Sequence, residues 1–232
     1  MLTNKQIDAG FECISPTPTY PDGITKDMLL GRNWSNSSGN VPIFKRHIKD
    51  QLRVIQNGRC AYCRRFLGLV SDTDIEHIVE KALFSNFTYE VYNLALSCSE
   101  CNSAKNQHSQ NLKKKLKLPN NVAPFLSTPI TAGSTYPSTP KSYRWVHPHF
   151  DEYSQNIVIS KGWIYKHLTP KGARQIRFLK FNRIGKIEKN FRLERLKARK
   201  GKCAKLFYLI AECPYEQLPN LIGELIENLK KN

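Results

Sequence analysis

Two Cys-x-x-Cys elements, Cys60-Ala-Tyr-Cys63 and Cys98-Ser-Glu-Cys101, constrain this 232-residue chain more than any other feature. Two intervening residues let one tight turn aim both sulfurs at one ion. Two such turns supply the four thiolates of a tetrahedral zinc site. The cysteine pairs are 34 residues apart, against roughly 15–20 in a simple zinc ribbon, so a folded insert is expected inside the clip. Unmetallated buried thiols and a redox pair are the competing readings, but no thioredoxin-like strand and helix flank either element. Cys13, Cys203 and Cys213 stand alone and read as ordinary buried cysteines.

Charge narrows the partners. The chain carries 36 Lys and Arg against 19 Asp and Glu, a net +17. That surplus is expected on the surface and favours a polyanion. Sixteen of the cations and only two acids, Glu188 and Glu194, fall between Lys161 and Lys205. The N-terminus has no apolar stretch of signal-peptide type, and no segment approaches the ~18 apolar residues of a membrane span. The expectation is a cytoplasmic protein with no membrane contact.

Four stretches are expected. Residues 1–41 are turn-rich and read as an irregular arm. Residues 42–118 open with an amphipathic helix carrying Phe44, Ile48, Leu52 and Ile55 on one face and stopping at Asn57-Gly58. Residues 119–142, with five prolines, form a linker or a long surface loop. Residues 143–232 contain a β-rich stretch, with the pattern of a hairpin, and then basic helices breaking near Gly185. A last helix from Tyr215 to Leu229 has an apolar stripe including Leu218, Leu221, Ile222, Leu225, Ile226 and Leu229.

The insert contains Asp74-Ile-Glu-His-Ile-Val-Glu-Lys81, then Asn93-Leu-Ala-Leu-Ser-Cys98 and Cys101-Asn-Ser-Ala-Lys-Asn106. Hydrolysing a phosphodiester needs an activated water and neutralised charge in the transition state. A neutral imidazole suits the first task, and His77 is the candidate base. A carboxylate with an amide oxygen suits a hard divalent cation, magnesium or manganese, and Glu76 and Asn102 are candidates. Asp74, two residues earlier, is a possible substitute or support. Glu76 and His77 point to opposite faces of a flat strand, so their joint use requires a strand end or bend. Asn102 is expected to open a helix whose free N–H groups favour phosphate, with Lys105 as a phosphate contact and Asn106 on the same face.

In this order and spacing, the residues from Cys60 to Lys105 resemble the HNH endonucleases with a zinc-bound ββα-metal core. The resemblance covers about a fifth of the chain, with Asn93 nine residues before Asn102 as the family pattern has it. It implies an α+β fold: a zinc-stabilised ββα-metal core, an N-terminal helix and a mainly helical basic C-terminal region. It also implies that Asn93 braces the loop between two strands and orients the base. Glu76 departs from the commoner aspartate, and Asn102 stands at a position where histidine also occurs. The flanking pattern is similar to HNH effectors of bacterial anti-phage systems, of the Septu-type and retron-linked groups, which act with a partner ATPase. Together these imply a DNA-cutting endonuclease with structural zinc and catalytic Mg2+ or Mn2+. Arg174, Arg177, Lys180 and Arg183 of the basic region are candidate contacts to the DNA backbone. An RNA- or tRNA-cutting toxin on the same site and a non-catalytic zinc module that binds nucleic acid are the alternatives.

Overall fold

The computed structural model describes residues 6–68, 72–117, 122–131, 133–198, 210, 213 and 215–230. Cys203, the last cations of the basic run and the side chains of Leu225, Ile226 and Leu229 lie outside the described residues. The architecture is α+β, with two separate two-stranded antiparallel sheets among helices.

Helix α1 (Lys26–Leu29) is one turn, and α2 (Asn40–Ile55) is the first long element. Val41, Phe44, Ile48 and Leu52 are buried along one face of α2, and Ile55 is half-buried. The stop is conformational: Asn57 and Gly58 both take positive φ, 50° and 64°, and the Gly58 N–H returns to the Arg53 carbonyl at 2.8 Å. Just before that stop, Gln56 is fully buried. Its amide donates to the Arg59 and Leu96 carbonyls and accepts from the Leu96 N–H, tying α2 to the sheet behind it.

Strand β1 (Asp74–His77) pairs with β2 (Leu94–Ser97), with Asp74 opposite Ser97 and His77 opposite Leu94. The chain then enters α3 (Ser99–Leu116), which packs on β1. Helix α3 starts earlier than the sequence suggests. Cys98 is its N-cap, so Cys101 lies in the first turn and the Asn102 N–H already bonds the Cys98 carbonyl at 3.0 Å. Asp72 accepts the Ser99 N–H at 2.9 Å. These bonds take up the Ser99 and Asn102 N–H groups, two of the donors at the start of the helix.

Residues 122–150 are a folded loop. Ala123, Phe125, Leu126 and Tyr143 are buried, and a small cluster forms around Val79, Phe84 and Phe87. After α4 (Tyr153–Asn156), strands β3 (Ile157–Ser160) and β4 (Ile164–His167) make a hairpin, followed by α5 (Pro170–Phe178) and α6 (Ile184–Ala198). The helical break falls at residues 179–183, before Gly185. A last helix, α7 (Leu218–Lys230), follows a short 3-10 turn. Ile14, Phe44, Leu94, Trp145, Tyr165 and Phe181 belong to one apolar cluster, so the arm, the cysteine region and the C-terminal hairpin share a core. Ile184 and Phe191, apolar residues of the basic run, are exposed. No helix among the described residues is long and apolar enough to cross a membrane.

Candidate metal centre and active site

The first cysteine pair sits in a tight knuckle. Arg59 bridges Phe66, the Cys60 N–H bonds the Arg65 carbonyl, and Arg64 takes the left-handed conformation that lets the chain reverse. The second pair straddles the start of α3. All four sulfurs are buried and lie within 4.8 Å of one another, and the Cys63 and Cys98 sulfurs are 3.8 Å apart. A tetrahedron with Zn–S bonds of ~2.3 Å has S···S edges of about 3.8 Å, so the donor set fits structural zinc.

The surroundings suit a tetrathiolate. Zinc with four thiolates carries two net negative charges, and cations gather near it. The Lys186 ammonium lies 3.3 Å from the Cys101 sulfur. Burial alone lowers the affinity of Lys186 for its proton, but the cysteine charges, Cys101 foremost, more than offset this. Arg65 is buried beside Cys98 and Cys63 and pairs with Asp72. The expectation that the positive surplus sits on the surface therefore needs correction: Arg59, Arg64, Arg65, Lys105 and Lys186 are buried.

His77 ends β1. Its Nε2 donates to the Thr88 carbonyl at 3.0 Å, which leaves Nδ1 as the nitrogen with a lone pair. The Trp34 ring meets the imidazole edge-on at a centroid distance of 4.5 Å. Burial, then the positive charge of Lys81, lowers the His77 pKa to about 3, so the ring is neutral at physiological pH. His77 and Asn102 line the same open cavity, of about 390 Å3, between β1, the following loop and α3.

Strand alternation decides the fate of the two acids. Asp74 and Glu76 both reach α3, at Asn102 and Lys105, and His77, at the end of the strand, lines the same cavity as Glu76. The half-exposed Asp74 carboxylate accepts from the Asn102 amide at 3.0 Å, and Asn106 donates to Asn102 Oδ1 at 3.1 Å. Glu76 lines the His77 cavity from a buried position, whereas Asp74 borders Asn102 on its other side. Glu76 is 3% exposed, forms an ion pair with Lys105 and accepts from the Tyr62 hydroxyl at 3.3 Å. Lys105 is 2% exposed and also donates to the His77 carbonyl at 2.5 Å. Lys105 and Glu76 thus line the His77 cavity as a buried ion pair, and Asp74 is the acid hydrogen-bonded to Asn102.

Asn93 is fully buried in the loop between β1 and β2. Its Oδ1 accepts the Val79 N–H at 2.6 Å, and its Nδ2 donates to the Val79 and Phe87 carbonyls, both at 3.0 Å. These bonds close the loop that presents Thr88 to His77. Arg174, Arg177, Lys180 and Arg183 are exposed but lie away from the His77 cavity. Lys180 and Arg183 instead line a separate groove with Glu100 and Gln107, on another face of α3.

Sequence reasoning passed over Trp34 and Thr88. A lone tryptophan in a polar turn, Asn33-Trp34-Ser35, was the available signal for the first. Thr88 acts through its carbonyl, which no residue identity announces.

No curated protein and no solved structure matches the chain. Residues 60–108 match the family model for HNH endonuclease. The matched residues hold the cysteine tetrad, the β1–β2 hairpin and the first half of α3, and this segment is similar to an HNH endonuclease domain.

Proposed function

We propose that the chain is a metal-dependent endonuclease that hydrolyses DNA phosphodiester bonds, with His77 as general base and Asp74 and Asn102 as ligands of a divalent ion. The observation that carries this reading is the shared cavity of His77 and Asn102, with Asp74 hydrogen-bonded to Asn102. A carboxylate and an amide oxygen are the hard donors that magnesium or manganese takes while keeping places for water and phosphate. Bound there, the ion supplies positive charge at the phosphate and at the departing oxygen.

The chain's own groups do the rest. His77 Nδ1 accepts a proton from the attacking water as the new P–O bond forms. Cleavage of the P–O bond opposite to it releases the leaving oxygen, which is protonated as it departs. Thr88 and Trp34 hold the ring in place, and Asn93 braces the loop behind it. Arg174, Arg177, Lys180 and Arg183 extend the grip on the backbone from the other flank of α3. A role as an anti-phage effector working with a partner ATPase is the biological setting we propose, on the flanking motif pattern.

Plasmid digestion with a Mg2+ and Mn2+ series tests the chemistry. Wild-type protein is expected to nick or cut. His77→Ala is expected to lose at least ~100-fold, the usual weight of a general base, while still binding DNA. A wild-type protein inert with every ion identifies a binding module, and preferential loss of total RNA in a parallel assay reverses the substrate assignment.

A further inference from the structure

The groove does not end at Asn102. On the far side, Asn102, Ile75 and Asp74 also line a second open cavity of about 460 Å3, whose other wall is Trp34 with Lys45, Arg46 and Lys49 of α2. Ile75 and Asn102 border both cavities, so the two adjoin across these residues, with Asp74 on the side of α2. Lys45 and Lys49 are one helical turn apart, and Arg46 lies beside them.

Among the described residues these three cations form no ion pair with a carboxylate. Lys45 has only the Trp34 carbonyl, at 3.4 Å, and the Trp34 ring, at 5.3 Å. The buried cations elsewhere in the chain are tied to sulfur, carboxylate or carbonyl. A row of charges without carboxylate partners on one helix face, lining a cavity that adjoins the proposed hydrolytic site, has the chemistry of a phosphate track.

We propose that the α2 wall, Lys45, Arg46 and Lys49 with Trp34, binds the nucleic-acid backbone on the side of the scissile phosphate away from the cavity of His77. The inference rests on the nuclease reading and assigns its substrate path. It gives the N-terminal arm and α2 a second task besides packing: one face of α2 fills the core and the other carries the strand. Trp34 joins the two, with its ring against His77 and its carbonyl against Lys45.

The test uses full-length zinc-loaded protein carrying His77→Ala, so that binding is read without cleavage. Anisotropy of labelled duplex DNA, single-stranded DNA and duplex RNA is followed across a salt series. Lys45→Ala/Arg46→Ala/Lys49→Ala is expected to weaken binding by on the order of 100-fold at 0.1 M salt and to reduce the salt slope by about 2 to 3 on the duplex. Lys45→Arg/Lys49→Arg is expected to retain the parent slope. Because the three side chains point away from the core, helical circular dichroism and zinc content should match the parent. A triple variant that binds within twofold of the parent with the same slope overturns this inference and leaves the nuclease reading standing. A parent protein that binds none of the three probes removes both.

Discussion

Replacing Lys105 separates a structural cation from a substrate-binding one. Its ammonium is buried, pairs with the buried Glu76 carboxylate and donates to the His77 carbonyl. Lys105→Ala leaves Glu76 without its counter-charge, with only the Tyr62 hydroxyl at 3.3 Å. Breaking a buried pair from one side costs about 3–5 kcal/mol. A chain of this length loses roughly 2–4 °C of Tm per kcal/mol, so a fall of about 6–20 °C is expected.

The loss should depend on pH, and its sign follows from Glu76. Burial raises the Glu76 pKa, and the Lys105 charge opposes that rise. Without the lysine the folded-state pKa climbs further above the unfolded value. The folded protein then binds the extra proton, so the destabilisation is largest at high pH and shrinks as pH falls. Thermal melts of wild type, Lys105→Ala, Glu76→Gln and the double variant at pH 6 and pH 8.5 check this. The double variant should be more stable than Lys105→Ala alone. A Lys105→Ala protein that melts within 2 °C of wild type but no longer binds DNA would falsify the structural assignment and return Lys105 to the substrate.

Chelating the zinc should unfold the knuckle and the start of α3, since structural zinc sites contribute on the order of 10 kcal/mol to folding; elemental analysis should find one zinc per chain, and circular dichroism before and after chelator reads the loss. His149 is buried with Nε2 on the Leu94 carbonyl, and burial lowers its pKa from 6.5 to about 4. Its neutral form contributes stability that is complete above pH 6.5 and is lost as pH falls toward 4, so His149→Gln should reduce the stability difference between pH 7 and pH 5 by about 2 kcal/mol in urea titrations; an unchanged difference removes His149 from the acid sensitivity. Gly172→Ala places a Cβ 2.1 Å from the Asn156 carbonyl oxygen and should destabilise by about 1–3 kcal/mol despite the better helix former. Gly185→Ala, with open space around it, should instead gain up to about 0.5–1 kcal/mol. Equal melting temperatures for the two variants would show that α5 does not approach α4 this closely.

What was legible in the sequence is what depends on local spacing. The four cysteines, the apolar face of α2 and its Asn57-Gly58 stop, and the turn between β3 and β4 follow from neighbours within a few residues. Asn93 was placed by the resemblance to the HNH pattern, and its three bonds all close within the same loop. The partners of the charges were not legible, because a cation's depth is set by whatever lies opposite it in space. Lys105 reads as a surface lysine on α3 until Glu76, 29 positions earlier, is brought beneath it by the β1–α3 packing. Lys186 belongs to a basic run with a regular three-residue spacing, yet it is the member that turns inward, to the sulfur of Cys101.

The thiolate cluster accounts for Lys186, as Glu76 does for Lys105. A tetrathiolate that keeps two net negative charges after binding zinc is a buried anion, and a buried anion recruits cations to the core. Arg65 and Lys186 meet that demand, so part of the net +17 compensates the metal site and does not reach the surface. The cations left to meet a polyanion are then fewer than the composition implies. Among the described residues they include those on α5 and the turn after it, on α6 at Arg192 and Arg195, late in α3 at Lys114 and Lys115, and on the outer face of α2. Those on α2 border Asp74 and Asn102 directly, whereas Lys180 and Arg183 are held on another face of α3. Charge density along the sequence peaks in the C-terminal region, but the cations that line a cavity with Asp74 and Asn102 belong to α2, so under the proposed reading folded position, not local density, selects the cations nearest the site.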